Sequence, residues 1–252
     1  MVKRSQAAWA PRRSYDQYCA IARGLDVIGD RWTLLLVRDL LLGPKRYKDL
    51  LSGLPGIGTN LLADRLKELE AAGLVERTVL PPPAGSAVYQ LTETGQGLET
   101  VMTALGRWGA RFLGTPRKSD VMVPRAYFVA MRGVYNPEAA AGLNAVYELR
   151  IADLAFEVRV ADGRLTTREG AVRNPDVILT MDVRTLNDLM FHVLAPASAV
   201  ASGRVEIAKG ELHDLERFVA IVGFHSRTGS VASEPSLPSN PPGRRVRTSA
   251  RS

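Results

Sequence analysis

The feature that most constrains the fold is the stretch from Tyr18 to Gly73, where short apolar-periodic segments alternate with sharp breaks. The breaks are Gly29–Asp30, Gly43–Pro44 and 54–58, the last reading Leu-Pro-Gly-Ile-Gly. Glycine and proline interrupt helices, so the pattern predicts four short helices. Two strand-like runs follow, at 74–77 and 88–91, separated by a proline-rich turn. This element order is that of a winged helix-turn-helix, which places one helix in a DNA major groove.

The last apolar segment is predicted to be the DNA-reading helix. A projection at 100° per residue puts Leu62, Leu66 and Leu69 on one face and leaves the opposite face polar. Thr59 and Asn60 begin the helix, where backbone N–H groups can meet phosphate and asparagine can contact adenine in two places.

The rest of the polar face carries Asp64, Lys67 and Ala71. We expect Lys67 to face DNA and Asp64 to be a solvated surface carboxylate. Arg65 projects beside the apolar stripe, so we expect it to brace the domain.

Basic residues around this helix are candidates for gripping the DNA backbone. Lys45, Arg46 and Lys48 precede the helix, and Arg77 lies at the base of the predicted wing. An ordinary solvated surface is the alternative for each of them alone. The wing tip, 80–86, carries no charge, which argues against its entry into a minor groove.

The net charge of +7 is unevenly distributed. Residues 1–118 hold 17 Lys/Arg against 11 Asp/Glu, residues 119–225 hold 11 against 14, and residues 226–252 hold 5 against 1. Phosphate binding needs a local positive field, and only the N-terminal region joins that field to a predicted scaffold.

The composition predicts a cytoplasmic protein with two domains. A chain of 252 residues with 46% apolar and 23% charged residues is typical of globular proteins of that size. Arg38–Asp39 splits the longest leucine-rich run, so no membrane span is expected, and the apolar run after Lys3 is too short for a secretion signal. A single cysteine excludes an internal disulfide and fits a reducing compartment.

The pattern changes character after about residue 115. Thr92–Leu113 reads as a helix that begins at Thr92 and Glu93, and 114–119 reads as a linker. Beyond it we predict, in chain order, a helix over 137–146, strands over 155–160 and 165–168 joined by Asp162–Gly163, a strand over 176–181, a helix over 184–194, a strand over 203–207 and a final helix from Leu212 to Val222. Strands clustered with helices suggest an α+β layer domain. Residues 226–252 are rich in Ser, Pro, Gly and Arg and are predicted to be disordered.

Nothing in the sequence supports catalysis, a metal or a cofactor. His192, His213 and His225 are far apart and no paired cysteines accompany them. Nucleophile-elbow, phosphate-loop and dinucleotide fingerprints are missing. Trp32 and Trp108 are interpreted as core residues rather than as platforms for stacked bases.

Several ordered blocks resemble HxlR-type transcriptional regulators. They are 19–29 with Arg31–Trp32–Thr33, 42–50, 66–75 and 89–95, within a match over 15–113. The resemblance implies a homodimeric winged helix that binds double-stranded DNA at an inverted repeat, commonly as a repressor. It also implies a dimer interface built from the first and last helices of this domain, around Cys19–Ile28 and Leu98–Phe112.

Cys19 is a candidate redox sensor. Some members of the resembling family sense oxidants or electrophiles with a cysteine at this place, and Arg23 would favour a thiolate. Here Ala20 follows the cysteine where that family commonly has proline. The alternative is a small buried apolar residue.

The second half resembles a sterol-carrier-protein-type domain at 155–160, 162–164, 176–181 and 203–210. The resemblance implies helices laid on a sheet with an apolar molecule held between them. The candidate lining residues are Met181, Met190, Phe191, Phe218, Val222 and Phe224. Core packing is the alternative for each.

The predicted fold class is therefore α+β, with the winged helix-turn-helix followed by a sterol-carrier-like domain and a disordered basic tail. The expected boundaries are 1–14 for a flexible basic arm, 15–115, 120–225 and 226–252. Three functions stay open: a dimeric transcriptional regulator with an apolar effector, a DNA-binding protein whose second domain only dimerises or scaffolds, and a carrier of hydrophobic ligands.

Overall fold

The computed structural model describes residues 14–80, 85–114 and 116–224. The predicted arm up to residue 13, most of the wing tip and the tail with His225 lie outside the described residues, so those predictions stay untested. No helix in the described parts is long and apolar enough to cross a membrane.

The N-terminal region has the predicted order of four helices and a ribbon. The elements are α1 Ala20–Ile28, α2 Thr33–Leu40, α3 Tyr47–Gly53, α4 Thr59–Ala71, β1 Val75–Val79 and β2 Ala87–Leu91. The two strands are antiparallel, with Arg77 opposite Tyr89. Lys45 adds a short antiparallel bridge to Tyr89, which ties the segment before α3 to the ribbon.

The first hydrophobic core joins α2, α3, α4 and the ribbon. The predicted stripe is confirmed, because Leu62, Leu66 and Leu69 are all buried in it. Leu36 of α2 and Leu50 of α3 pack in the same cluster. Burial of such side chains contributes about 1.5–3 kcal/mol each, so this core fixes the α3–α4 pair.

The helical segment after the ribbon divides in two. Thr92 caps α5 Glu93–Gln96 by accepting from the N–H of Gly95, as the sequence predicts. α6 Leu98–Gly109 follows and ends in a 3-10 turn, Ala110–Phe112.

The C-terminal region is an α+β layer structure. Its elements are α7 Pro124–Val134, β3 Ala145–Ile151, β4 Leu154–Ala161, β5 Arg164–Glu169, β6 Val177–Met181, α8 Val183–Met190, α9 Pro196–Ala201, β7 Val205–Lys209 and α10 Leu212–Val222. The strand order is β5-β4-β3-β6-β7, and only the β3–β6 pair is parallel.

One face of this sheet forms the second hydrophobic core. Strand residues such as Tyr147, Leu149 and Val158 alternate inward with period 2 and meet α7, α8 and α10. Phe128 of α7 stacks on Phe156 of β4 with ring centroids 3.8 Å apart. That stack anchors α7 to the sheet.

Two sequence predictions for this region were wrong. Residues 137–146 are not helical, because a series of turns with Gly142 at φ +70° leads into β3 at Ala145. α7 and α9 were not predicted. Both begin with a proline at the first helical position, which suits a helix start because that residue has no N–H to leave unpaired.

Candidate nucleic-acid interface

A hydrogen bond and a glycine turn join the starts of α3 and α4. The Tyr47 hydroxyl donates to the carbonyl oxygen of Thr59 at 2.6 Å, which joins the start of α3 to the start of α4. In the turn between them, Gly56 has φ +92° and its missing Cβ would lie 3.6 Å from Cη2 of Trp32. Glycine is needed there for the left-handed backbone. Trp32 itself packs against the first core, as expected.

The outer face of α4 is free for a ligand in the described structure. Thr59, Asn60 and Lys67 are exposed on the side opposite the leucine stripe. Gly58 precedes the helix and provides no side-chain cap, so the first-turn N–H groups face outward with the positive end of the helix dipole. This arrangement suits a phosphate beside the helix start and base edges along its first turns.

The other residues of α4 take the roles predicted for them. Arg65 forms ion pairs with Asp30 and with Glu68, so it braces α4 against the α1–α2 turn. Asp64 is exposed.

Three of the four flanking cations remain accessible. Lys48 of α3 and Arg77 of β1 are exposed, and Arg46 before α3 is half-buried. Together with Lys67 they are the candidates for phosphate contact on the α3–α4 face and at the base of the wing, where Glu76 also exposes a carboxylate.

The structure corrects the prediction that Lys45 contacts the DNA backbone. Its side chain is 4% exposed, and its ammonium donates to the carbonyl oxygen of Gly43 at 3.1 Å and pairs with Glu169. Burial lowers the pKa of Lys45. The sequence shows the basic run Lys-Arg-Tyr-Lys. It does not show that the C-terminal domain covers the first lysine of this run. We therefore remove Lys45 from the candidate DNA contacts.

Cys19 lies just before α1 and is free and exposed, rather than a buried apolar residue. The pKa of its thiol is lowered by the backbone N–H groups of Ala22 and then Ile21. Arg23 instead pairs with Asp26, 3.2 Å away. The thiolate is favoured by the helix start rather than by the arginine that the sequence suggested.

The first and last helices of the N-terminal region expose apolar faces. On α1 these are Ile21 and Leu25. On α6 and the turn after it they are Val101, Leu105, Trp108 and Phe112. The interpretation of Trp108 as a core residue was wrong: it is 57% exposed and stacks against Phe112 with centroids 4.9 Å apart.

The six candidate ligand-lining residues are divided by the structure. Met181, Met190, Phe218 and Val222 are buried in the second core, where the helices pack on the sheet. Phe191 and Phe224 lie at its edge and stack on each other with centroids 4.4 Å apart. The structure thus favours core packing for the first four.

A pocket of about 260 Å³ lies elsewhere, at the junction of the two regions. Its lining consists of Leu40, Leu41, Gly43, Pro44, Gln90, Leu91, Gln96, Glu99 and Arg132. Within the described residues, no group of three or more His, Cys, Asp or Glu side chains is placed to hold a metal ion.

Sequence reasoning missed the polar residues that fix the interface from behind. These are Tyr47, which joins α3 to α4, and two arginines of α7: Arg125 reaches the Asp49 carbonyl in α3, and Arg132 reaches the Leu41 carbonyl between α2 and α3. No motif marks such residues, because each acts through a partner distant in sequence.

Comparison with known proteins gives two family matches in different halves of the chain. Residues 27–116 match the family described as HxlR-like helix-turn-helix, and residues 128–226 match the family described as alkyl sulfatase C-terminal. The second description is not the sterol-carrier one, so the sterol-carrier-like identity stays a prediction.

Curated relatives match the N-terminal half. The HTH-type transcriptional regulator YodB of Bacillus subtilis (strain 168) is 41% identical over 86 residues, which is 34% of this chain and 77% of that protein. The HTH-type regulator YvaP of the same organism is 32% identical over 91 residues, 36% of this chain and 84% of that protein. A solved structure of the reduced form of YodB from B. subtilis is 35% identical, with a TM-score of 0.35, and covers 40% of this chain and all of that one.

Proposed function

This chain belongs to the HxlR-like helix-turn-helix family of DNA-binding transcriptional regulators, and from that membership we propose that it acts as a homodimeric repressor on an inverted-repeat operator. The observation that carries the proposal is the outer face of α4, where Thr59, Asn60 and Lys67 are exposed opposite a buried leucine stripe. A helix held rigidly from behind and polar in front is what major-groove reading requires.

The contacts divide into reading and gripping groups. Asn60 would read base edges in the first turn of α4, and Thr59 would meet an adjacent phosphate with its hydroxyl and N–H. Arg46, Lys48, Lys67 and Arg77 would neutralise phosphates, which gives affinity without sequence information.

Homodimerisation is supported by the exposed apolar faces of α1 and α6. A single helix that leaves Leu105, Trp108 and Phe112 in water is unusual for a monomer, because contiguous apolar surface of this kind marks an interface. A two-fold axis through these helices would make each protomer meet one half-site, with half-sites one helical turn apart.

The proposal extends to an apolar effector bound by the C-terminal domain. Phe191 and Phe224 remain at the surface of the second core, whereas the other candidate residues pack inside it. Two alternative functions stay open: a DNA-binding protein whose second domain only scaffolds, and a carrier of hydrophobic ligands. We propose no catalytic role for either half.

Footprinting on the region upstream of the protein's own coding sequence, with binding measured across a salt series, tests the DNA-binding proposal. We expect two protected half-sites about 10 base pairs apart and an affinity that falls linearly with salt on logarithmic axes. Binding that protects no segment and ignores salt would overturn it and favour the carrier function. A hydrophobic compound that shifts both melting and operator affinity would support the effector.

A further inference from the structure

The segment between α2 and α3, residues 41–46, belongs to both halves of the molecule. Leu42 is fully buried in the second core rather than in the first. The N–H of Glu169, at the end of β5, donates to the carbonyl oxygen of Leu42 at 3.0 Å. The C-terminal domain therefore holds the segment that leads directly into the helix-turn-helix. We call residues 41–46 the connector.

Helix α7 supplies two arginines: Arg132 bonds the connector directly, and Arg125 holds Glu169, whose N–H bonds the connector. Arg125 and Arg132 are seven residues apart, two helical turns, and so lie on one face. Arg125 pairs with both carboxylate oxygens of Glu169, at 2.6 and 2.9 Å, and donates from Nη1 to the carbonyl oxygen of Asp49 in α3 at 3.3 Å. Arg125 thereby links β5 directly to α3.

Arg132 makes the second link. Its Nε donates to Oγ1 of Thr167 in β5 at 2.8 Å, and its Nη2 donates to the carbonyl oxygen of Leu41 at 3.1 Å. Nη1 pairs with Glu99 of α6 at 3.0 Å. We call Arg125, Arg132, Thr167 and Glu169 together the arginine clasp.

The ion pairs of the clasp are costly to break because its two arginines are buried. The Arg125 and Arg132 side chains are 6% and 12% exposed. Removing one partner of a buried charge pair leaves the other charge unpaired in a poorly solvated place, which is far more costly than losing a surface pair. The connector is therefore held in one position rather than in several.

Gly53, the last residue of α3, shows how closely the clasp approaches the helix-turn-helix. A Cβ at this position would collide with Nη1 of Arg125 and with Oδ2 of Asp39 in α2. Gly53 is buried and its φ is not positive, so what the site requires is space. The guanidinium of Arg125 thus occupies space that a side chain at residue 53 would need.

The path continues from the connector to the DNA-facing surface. The backbone of Lys45 exchanges two hydrogen bonds with Tyr89 of the wing, at 2.9 and 2.8 Å. Tyr47, immediately after the connector, holds Thr59 at the start of α4. None of this covers Thr59, Asn60 or Lys67, so the clasp supports the interface without occluding it.

We propose that the arginine clasp makes the C-terminal domain a positioning element for DNA binding. It holds the connector, and through it α3, α4 and the wing, in the arrangement that binds an operator. The inference rests on the proposed DNA-binding function and deepens it. Arg125, Arg132 and Glu169 are positioning residues, since they act on DNA only through the helices they hold.

The test compares Glu169→Gln with Glu148→Gln in the full chain. Glu148 is the control: its side chain is 4% exposed against 16% for Glu169, it pairs with Arg150 at 2.8 Å and accepts from the N–H of Val172 at 2.7 Å, and all these partners lie inside the C-terminal domain. We expect Glu169→Gln to weaken operator binding about fivefold or more, in the usual range of coupling between sites, and Glu148→Gln to change it less than twofold.

Hydrogen exchange distinguishes coupling between the two halves from a purely stabilising role of the clasp. A purely stabilising clasp would not make exchange in β5 respond to operator binding. If the clasp couples the two halves, operator binding must slow exchange of the β5 amides near Glu169 in the wild type, and this slowing must shrink in Glu169→Gln. Gly53→Ala gives an independent variant that keeps every charge and is expected to weaken operator binding in the same direction.

Equal operator affinity in Glu169→Gln, Gly53→Ala and the wild type would overturn the clasp proposal and leave the DNA-binding function standing. Tighter binding by either variant would also overturn it, because the clasp would then restrain rather than position. Loss of DNA binding in the wild type itself would overturn both proposals.

Discussion

The ammonium nitrogen of Lys45 lies 3.5 Å from Oε2 of Glu169, across the junction between the helix-turn-helix and the C-terminal sheet. Lys48, three residues later and the second residue of α3, is exposed. Two lysines of one basic run therefore have different partners. One holds the two halves together, and the other is available to DNA.

This difference predicts different salt dependences. Lys48→Gln should reduce the slope of log affinity against log salt by about 0.9, the value for one phosphate contact. Lys45→Gln, its matched control, should leave the slope unchanged whatever it does to affinity, because its ammonium is buried. Binding isotherms of each variant at several salt concentrations measure both slopes. Equal slope changes in the two variants would show that Lys45 reaches DNA.

Asn60→Ala tests the reading role of α4. Loss of a two-point contact to a base should cost about 1–3 kcal/mol of specific binding and leave non-specific binding nearly unchanged. Affinities for operator and for a scrambled duplex separate the two effects. Glu216→Gln is the control, because Glu216 is an exposed residue of α10 in the C-terminal domain. Equal loss on both duplexes would assign Asn60 to the phosphate backbone instead.

Trp108→Glu tests the dimer interface. A carboxylate in the middle of the apolar face of α6 cannot be buried unpaired, so we expect dissociation to monomers and loss of operator affinity. Sedimentation velocity measures the first effect. Val193→Glu is the control, since Val193 is an apolar residue of the C-terminal domain that is even more exposed than Trp108. A Trp108→Glu protein that stays dimeric would place the interface elsewhere.

Phe128→Ala tests the anchoring of α7. Removing the ring that stacks on Phe156 leaves a cavity in the second core and should lower the free energy of unfolding by about 3–5 kcal/mol. Val193→Ala, at an exposed position, should change it by less than about 0.5 kcal/mol. Urea unfolding gives both values. A small effect of Phe128→Ala would mean that α7 is held mainly by its arginines.

The clasp predicts acid sensitivity. Burial alone would raise the pKa of Glu169, but the hydrogen bonds from Arg125 and the charges of Lys45 and Arg125 lower it below its ordinary 4.5. A carboxyl with a lowered pKa contributes stability above that ordinary value and loses it as the pH falls through the folded pKa. The difference in the free energy of unfolding between wild type and Glu169→Gln should therefore be constant above pH 4.5 and shrink as the pH falls below it, through the lowered pKa of the folded state.

Asp39 has the opposite effect on how the free energy of unfolding changes with pH. Burial raises the pKa of Asp39, so its protonation on acidification favours the folded state. Because Asp39 is present in both proteins, the difference between wild type and Glu169→Gln isolates the glutamate. A difference that stays constant from pH 7 to pH 3 would contradict the assignment.

Local patterns predicted the reading helix well and the junction poorly. The leucines of α4 repeat at helical spacing within 13 residues, so its buried and exposed faces follow from the sequence. Thr92 likewise has a local capping signal. These predictions depend on neighbours a few residues apart, where periodicity is informative.

The missed features depend on contacts between distant residues. Lys45 is buried by Glu169, 124 positions later, and Leu42 packs in a core made of residues after 127. Trp108 has helical spacing typical of a buried face, yet among the described residues that face stays exposed. Periodicity shows which residues share a face, but not what covers it.

Sequencing of the DNA that the purified full-length protein selects from a random duplex library tests operator recognition by α4 directly. We expect enrichment of an inverted repeat whose half-sites are centred about 10 base pairs apart, and loss of that enrichment in Asn60→Ala. A bound pool with no enriched sequence would contradict it.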